Sequence, residues 1–195
     1  MENTEENIQK LFVESSNVIL ESKSLSKIIK ISVEKIISSF QNGNKILIFG
    51  NGGSAADAQH MAAEFIGRYL LERISLPAIS LTTDTSILTS IGNDYDFDMI
   101  FSRQCDSLVK KGDVIFAIST SGKSQNVIRG IESAKTNGGY IISLTGKNGG
   151  LMKEKSDLCI EIPSKETPRI QEGHRIVIHL ICQFVEEFFK NKKSS

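Results

Sequence analysis

The sequence predicts an α/β protein: a five-stranded parallel sheet flanked by helices, with a helical extension at its N-terminus. Three observations carry this. Five short apolar runs are bounded by Gly, Lys and Asp and do not alternate with polar residues, as expected of strands covered on both faces. Helical periodicities lie between these runs, the order of a parallel sheet with right-handed crossovers. The first run ends in Gly50, Asn51, Gly52 and Gly53 and passes straight into a helix, so backbone N–H groups and a positive dipole end point above the sheet.

Taken in order, residues 4–42 read as helical throughout. Leu25, Ile28, Ile29, Val33, Ile36, Ile37 and Phe40 recur at i, i+3, i+4 spacing, with Ser32 interrupting the stripe. Ile8, Leu11, Phe12, Val18 and Leu20 suggest an earlier helix. Either a partner subunit or the chain's own sheet must cover these stripes. Strands are expected at 45–49, 77–81, 113–118, 140–144 and 158–162. Helices are expected at 54–71, 86–91, 98–109, 125–136 and 170–189, with a short turn near 150–154. The chain thus divides into an extension (1–42), a sheet domain (43–191) and a frayed tail (192–195). Ligands of such sheets bind beyond the carboxyl ends of the strands, so the functional loops should be 50–54, 82–85, 119–124 and 145–150.

Bulk properties narrow the function. Lys plus Arg and Asp plus Glu each number 23, giving zero net charge, which argues against nucleic-acid binding as the main role. The N-terminus has no secretory apolar segment and no run approaches the roughly 20 residues of a membrane span. Cys105, Cys159 and Cys182 show no metal spacing and read as buried thiols in a reducing compartment, which points to the cytoplasm.

Two stretches carry chemistry. In the 119–124 loop, Ser119, Thr120, Ser121 and Ser124 surround Gly122 just ahead of a helix, the donors an anionic phosphate monoester requires. Neither this loop nor the first glycine turn has nucleotide P-loop or dinucleotide spacing. On the helix after the first strand, His60 and Glu64 share a face at i, i+4, roughly opposite the stripe Ala58, Ala62, Phe65 and Tyr69. Alone they also fit a solvated pair. On the last helix, Val177, Ile181, Phe184 and Phe188 form the main stripe, broadened by Leu180, Val185 and Phe189. His179 lies opposite it, available for chemistry, and His174 reads as a satisfied core histidine. Together His60, Glu64, His179 and a side-chain carbonyl such as Gln171 supply the nitrogen and oxygen donors of a four-ligand zinc site. Gln171 and His179 are eight residues apart, about 12 Å of helical rise. They reach one ion only if the helix starts late or bends, or if each faces ligands from elsewhere, as in a site between subunits.

The segments G-N-G-G-S-A-A-D-A-Q-H-M-A-A-E, A-I-S-T-S-G-K-S-Q-N-V and R-I-Q-E-G-H-R-I-V-I-H resemble the phosphoheptose isomerase family of the sugar-isomerase (SIS) domain superfamily. The likeness covers nearly the whole chain. It implies a flavodoxin-like sheet and a homotetramer with active sites at subunit boundaries. The implied reaction converts D-sedoheptulose 7-phosphate to D-glycero-D-manno-heptose 7-phosphate, the first step towards activated heptose for lipopolysaccharide or another glycoconjugate. It implies zinc held by His60, Glu64, Gln171 and His179. Implied substrate contacts are Asn51, Gly52, Gly53, Glu64, Asn93, Asp94, Ser119, Thr120, Ser121, Ser124 and Gln171, all of matching type. For isomerisation through an enediol, Glu64 is the candidate base and His179 the candidate acid. The competing class is a non-catalytic SIS domain, a sugar-phosphate sensor or a replication-initiator-associating protein. Retention of His60, Glu64, Gln171 and His179 favours the enzyme.

Overall fold

A computed structural model describes residues 3–190. The expected frayed tail lies outside the described residues. Two helices, α1 (Thr4–Glu21) and α2 (Ser26–Gln41), are separated by the 3-10 turn Ser22–Leu25. Strand and helix then alternate: β1 (Ile46–Gly50), α3 (Gly53–Ile66), β2 (Ala78–Ser80), α4 (Thr85–Asp94) and α5 (Ser102–Leu108). They continue as β3 (Val114–Ser119), α6 (Gln125–Thr136), β4 (Tyr140–Thr145), α7 (Gly150–Lys155), β5 (Leu158–Glu161) and α8 (Thr167–Phe189). Every strand pairing is parallel and the order is β2-β1-β3-β4-β5. Neighbours β1 and β3 diverge in connection, so a topological switch point opens between their carboxyl ends.

The continuous apolar strands are explained by cover on both faces. From β1, Ile46 and Ile48 join a core built with α2, α3 and α8, while Leu47 and Phe49 join a second core with α4, α5 and α6. The two N-terminal helices differ. In α2, Ile29, Val33, Ile36 and Phe40 are buried in the chain's own core, and Ser32 is accommodated because its hydroxyl donates to the Ile28 carbonyl. In α1 no residue is buried, and Ile8, Leu11, Phe12 and Leu20 are exposed.

Several expectations are corrected. The helix carrying His60 stops at Ile66 and not at residue 71, so Tyr69 leaves the apolar stripe. The segment expected as one helix at 98–109 is a 3-10 turn, Phe97–Met99, followed by α5. Of the stripe expected on α8, Val177, Ile181, Val185 and Phe189 are buried, joined by Ile178 and Cys182, whereas Phe184 and Phe188 are exposed. The helix is apolar over most of its circumference, and periodicity alone misplaces its buried direction. Cys105 and Cys182 are buried free thiols, but Cys159 is only partly buried. Among the described residues, no helix is long and apolar enough to cross a membrane.

Candidate functional site

Both hydroxyl- and glycine-bearing loops lie at the switch point, because Gly50 pairs with Ile118 at the ends of β1 and β3. The first is fixed to the second by a reciprocal amide pair. Asn51 Nδ2 donates to Asn126 Oδ1 at 2.8 Å, and Asn126 Nδ2 donates to Asn51 Oδ1 at 2.9 Å. Asn126 is buried at the start of α6 and also accepts the Val127 N–H. Sequence reasoning did not single it out. Gly53 permits a close approach: a Cβ there would displace the Gln171 amide. Gln171 on α8 therefore sits directly over the first turn of α3.

The second loop is a hydroxyl cluster. Ser119 Oγ lies 3.2 Å from Ser124 Oγ and 3.5 Å from Ser121 Oγ. Thr120 is partly buried and its carbonyl accepts the Gly146 N–H. Gly122 (φ +63°) has no room for a side chain because the Gly149 carbonyl packs against it. Ser124 occupies the cap position of α6 with no side-chain bond to that helix, so its hydroxyl is uncommitted to capping. Asn93 and Asp94 stand apart. They lie exposed at the end of α4, and Asn93 Nδ2 donates to Asp94 Oδ1; neither bonds to these loops.

The third cluster joins α3 to α8. His60 Nε2 and His179 Nε2 are 2.9 Å apart, and Glu64 Oε1 is 3.5 Å from His60 Nε2. At that separation one imidazole donates and the other accepts. The Tyr69 ring packs on His179 with centroids 5.5 Å apart. His60 and Glu64 remain partly exposed, and His60 meets His179 as well as Glu64. One turn earlier, the buried Asp57 meets Arg175 at 2.7 Å. Burial, and then the Arg175 cation, hold the His60 imidazole below its ordinary pKa, which favours the neutral, ligating form. Burial outweighs Arg175 at Asp57 and raises that carboxyl. Asp57 and Arg175 were also missed. Their signal was available as helical spacing: 57, 60 and 64 on α3, and 175 and 179 on α8.

Whether zinc suits this cluster is a question of donors and spacing. Two imidazole nitrogens and a carboxylate oxygen are zinc ligands, and ligand atoms around tetrahedral zinc stand roughly 3.3 Å apart. The 2.9 and 3.5 Å separations straddle that value. Among the described residues, no group of three or more His, Cys, Asp or Glu side chains is already arranged around a common point. The two separations both involve His60, and the imidazoles are in direct contact, so an ion would have to part them. In its donor types the set fits. Gln171 is a different matter: α8 begins at Thr167, so a late helix start does not bring Gln171 and His179 to one ion.

His174 is buried as expected of a core histidine, but neither ring nitrogen makes a well-formed hydrogen bond. Burial pushes it down to about 4, against a smaller upward pull from the Thr145 backbone.

A further concavity lies away from this chemistry. It is an apolar groove of about 970 Å³ between α2 and α8, lined by Ile29, Val33, Ile37, Leu180 and Phe184 among others.

Comparison with known proteins follows the same lines. Residues 12–146 match the SIS domain family. The chain is 52% identical over 175 residues to the phosphoheptose isomerase of Aneurinibacillus thermoaerophilus, covering 89% of this chain and 88% of the relative. It is 50% identical over 186 residues to that of Helicobacter pylori, covering 95% and 97%. The solved phosphoheptose isomerase of Neisseria gonorrhoeae superposes with a TM-score of 0.89 at 41% identity, covering 94% of this chain and 98% of that one.

Proposed function

The chain belongs to the phosphoheptose isomerases of the SIS domain family and is an isomerase; from that premise we propose that it interconverts D-sedoheptulose 7-phosphate and D-glycero-D-manno-heptose 7-phosphate. The reaction moves a proton between C1 and C2 through an enediol. It needs a base over the carbon, an acid at the oxygen and a fixed carbon chain. The single observation that carries the reading is the meeting of His60, Glu64 and His179 from two helices beside a hydroxyl-lined switch point.

In this reading Ser119, Thr120, Ser121 and Ser124 hold the phosphate with N–H groups at the start of α6. Asn51, Gly52, Gly53 and Gln171 line the approach of the sugar; Asn93 and Asp94, which stand apart from these loops within one chain, would reach a sugar only from a neighbouring subunit. Glu64 removes and returns the carbon-bound proton. His179 exchanges the oxygen-bound proton. His60, Glu64 and His179 would hold zinc, and Gln171 would be the further donor only if it came from a neighbouring subunit. Zinc, when bound, supplies Lewis acidity at the substrate's carbonyl and hydroxyl oxygens. A carboxylate committed to a metal is a weaker base, so Glu64 either changes partner during turnover or the metal's role is structural. The span between Gln171 and His179 supports a site shared between subunits, hence a homotetramer. A cytoplasmic location belongs to the same reading, supported by the free thiols of Cys105, Cys159 and Cys182.

The deciding experiment follows aldose formation from sedoheptulose 7-phosphate by purified protein, with and without chelator and added zinc. The expected result is turnover that chelator removes and zinc restores. Metal-indifferent turnover would keep the isomerase and remove zinc from it. A folded oligomer that binds the sugar phosphate without turning it over would point to the non-catalytic sensors.

A further inference from the structure

Packing holds part of the segment between α3 and β2: Tyr69, Ile74 and Leu76 lie on the core built with α2, α3 and α8. Leu70 and Leu71 between them are exposed, and packing does not hold their backbone. Its anchor there is a carboxylate on α8. Glu186, only 1% exposed, accepts the backbone N–H groups of Tyr69 at 2.7 Å and of Leu70 and Leu71 at 2.6 Å each. A buried anion is tolerable when several donors converge on it. Arg73, whose side chain is 1% exposed, lies beside it with Nε 3.6 Å from Glu186 Oε2, an ion pair beyond hydrogen-bond distance. The rest of its guanidinium closes the end of α3. Nη2 donates to the Glu64 carbonyl at 2.6 Å, and Nη1 donates to the Gly67 and Ile74 carbonyls at 2.9 Å. A cation on terminal carbonyls also suits the negative end of the helix dipole.

The knot touches the reaction centre at two points. Arg73 bonds the backbone of Glu64 itself. Tyr69 gives its N–H to Glu186 while its ring lies on His179. Glu186 follows His179 by seven residues, two turns along the same side of α8.

We propose that Glu186 and Arg73 are positioning residues for the isomerisation: they lock the 67–74 turn so that the Glu64 end of α3 and the Tyr69 ring are held in register with His179. The proposal rests on the isomerase reading and adds to it a carboxylate and a guanidinium that touch no substrate.

Three variants test it. Glu186→Gln keeps the volume but removes the charge and faces N–H donors with an amide. Arg73→Lys keeps the charge and removes the fork. Glu186→Asp keeps the carboxylate. In folded Glu186→Gln and Arg73→Lys proteins, kcat should fall about tenfold or more while KM for sedoheptulose 7-phosphate stays within about threefold, as for misplaced catalytic groups. Hydrogen exchange at the amides of residues 69–71 should accelerate while residues 54–62 stay protected. Glu186→Asp should recover part of kcat. Freed amides with unchanged kcat would overturn the proposal, as would a raised KM with unchanged kcat. If Glu186→Gln does not fold, Arg73→Lys is read in the same way; failure of both to fold would make the knot a folding element and sink the proposal. An unsubstituted protein without turnover would instead refute the isomerase reading.

Discussion

On one side of α8, Arg175, His179 and Glu186 fall within about 40° of one another at 100° per residue, and each meets a partner on or just beyond α3. On another side, Leu180, Phe184 and Phe188 line the groove with α2, and Phe184 is 48% exposed. The two stripes belong to one helix and have opposite chemistry. The polar one is almost fully satisfied within the chain, while the apolar one is open. Burial alone therefore does not mark what matters on this helix. Polar groups are brought inward because each finds a partner there, whereas an apolar face of this size is the kind of surface that a second molecule would cover.

The sharpest way to break that contrast is at the polar seam. Glu64→Gln keeps the shape of the side chain and removes its basicity. It should lower kcat by about a thousandfold or more, within the range for a lost general base, while binding of the sugar phosphate survives. Isothermal titration with the ketose phosphate, alongside the turnover assay, checks this. Loss of binding together with turnover would make Glu64 part of the frame and not of the chemistry.

A smaller effect is expected from the third side of α8, which faces the sheet. His174 is buried there with neither ring nitrogen in a well-formed hydrogen bond and a pKa lowered to about 4. The folded protein keeps it neutral, whereas the unfolded chain binds a proton below the ordinary value near 6.5. Its contribution is therefore fully present above about pH 6.5 and is lost as pH falls towards 4, in all about 3 kcal/mol. Denaturant unfolding between pH 7 and pH 4 should show this slope, and His174→Gln should flatten it. An unchanged slope in the variant would assign the acid sensitivity to other groups.

How far the sequence foretold these sides follows from the range of the interactions. The strands were legible to within a residue at each end because a doubly covered parallel sheet writes itself as continuous apolar runs. Helix α6 was legible for a similar local reason, its Ser-rich start and its Asn137–Gly138 end. The overshoot of α3 to residue 71 has a non-local cause: Arg73 and Glu186 end that helix, and Glu186 is 117 positions away from Tyr69. The Asn51–Asn126 pair spans 75 positions and is equally silent in local pattern. His60, Glu64 and His179 stood out because histidines are few and the spacing is helical. Which side of α8 faces inward was illegible because apolar residues surround most of it.

The apolar side offers the last test, with the smallest expected effect on the fold. Phe184 is half exposed and contributes little to the core of the isolated chain. Phe184→Ser removes part of a side chain whose full burial is worth about 1.5–3 kcal/mol, so less than about 1 kcal/mol of single-chain stability is at stake. The same substitution in a covered interface forfeits the burial in every copy. The expected outcome is an assembly that dissociates at about tenfold or more higher protein concentration, measured by sedimentation, with the dilute dissociated chain unfolding at nearly the same denaturant concentration as the unsubstituted one. A lowered unfolding midpoint with unchanged assembly would put Phe184 in the core and erase the contrast between the two sides. Dissociation with an intact fold would show that α8 serves two partners at once, α3 through its charges and a second molecule through its aromatic rings. Activity in the dissociated protein then separates the two roles. Turnover that survives places the whole site within one chain, and turnover that disappears while the α3–α8 seam stays protected from exchange means that Gln171 and His179 work with residues of different subunits.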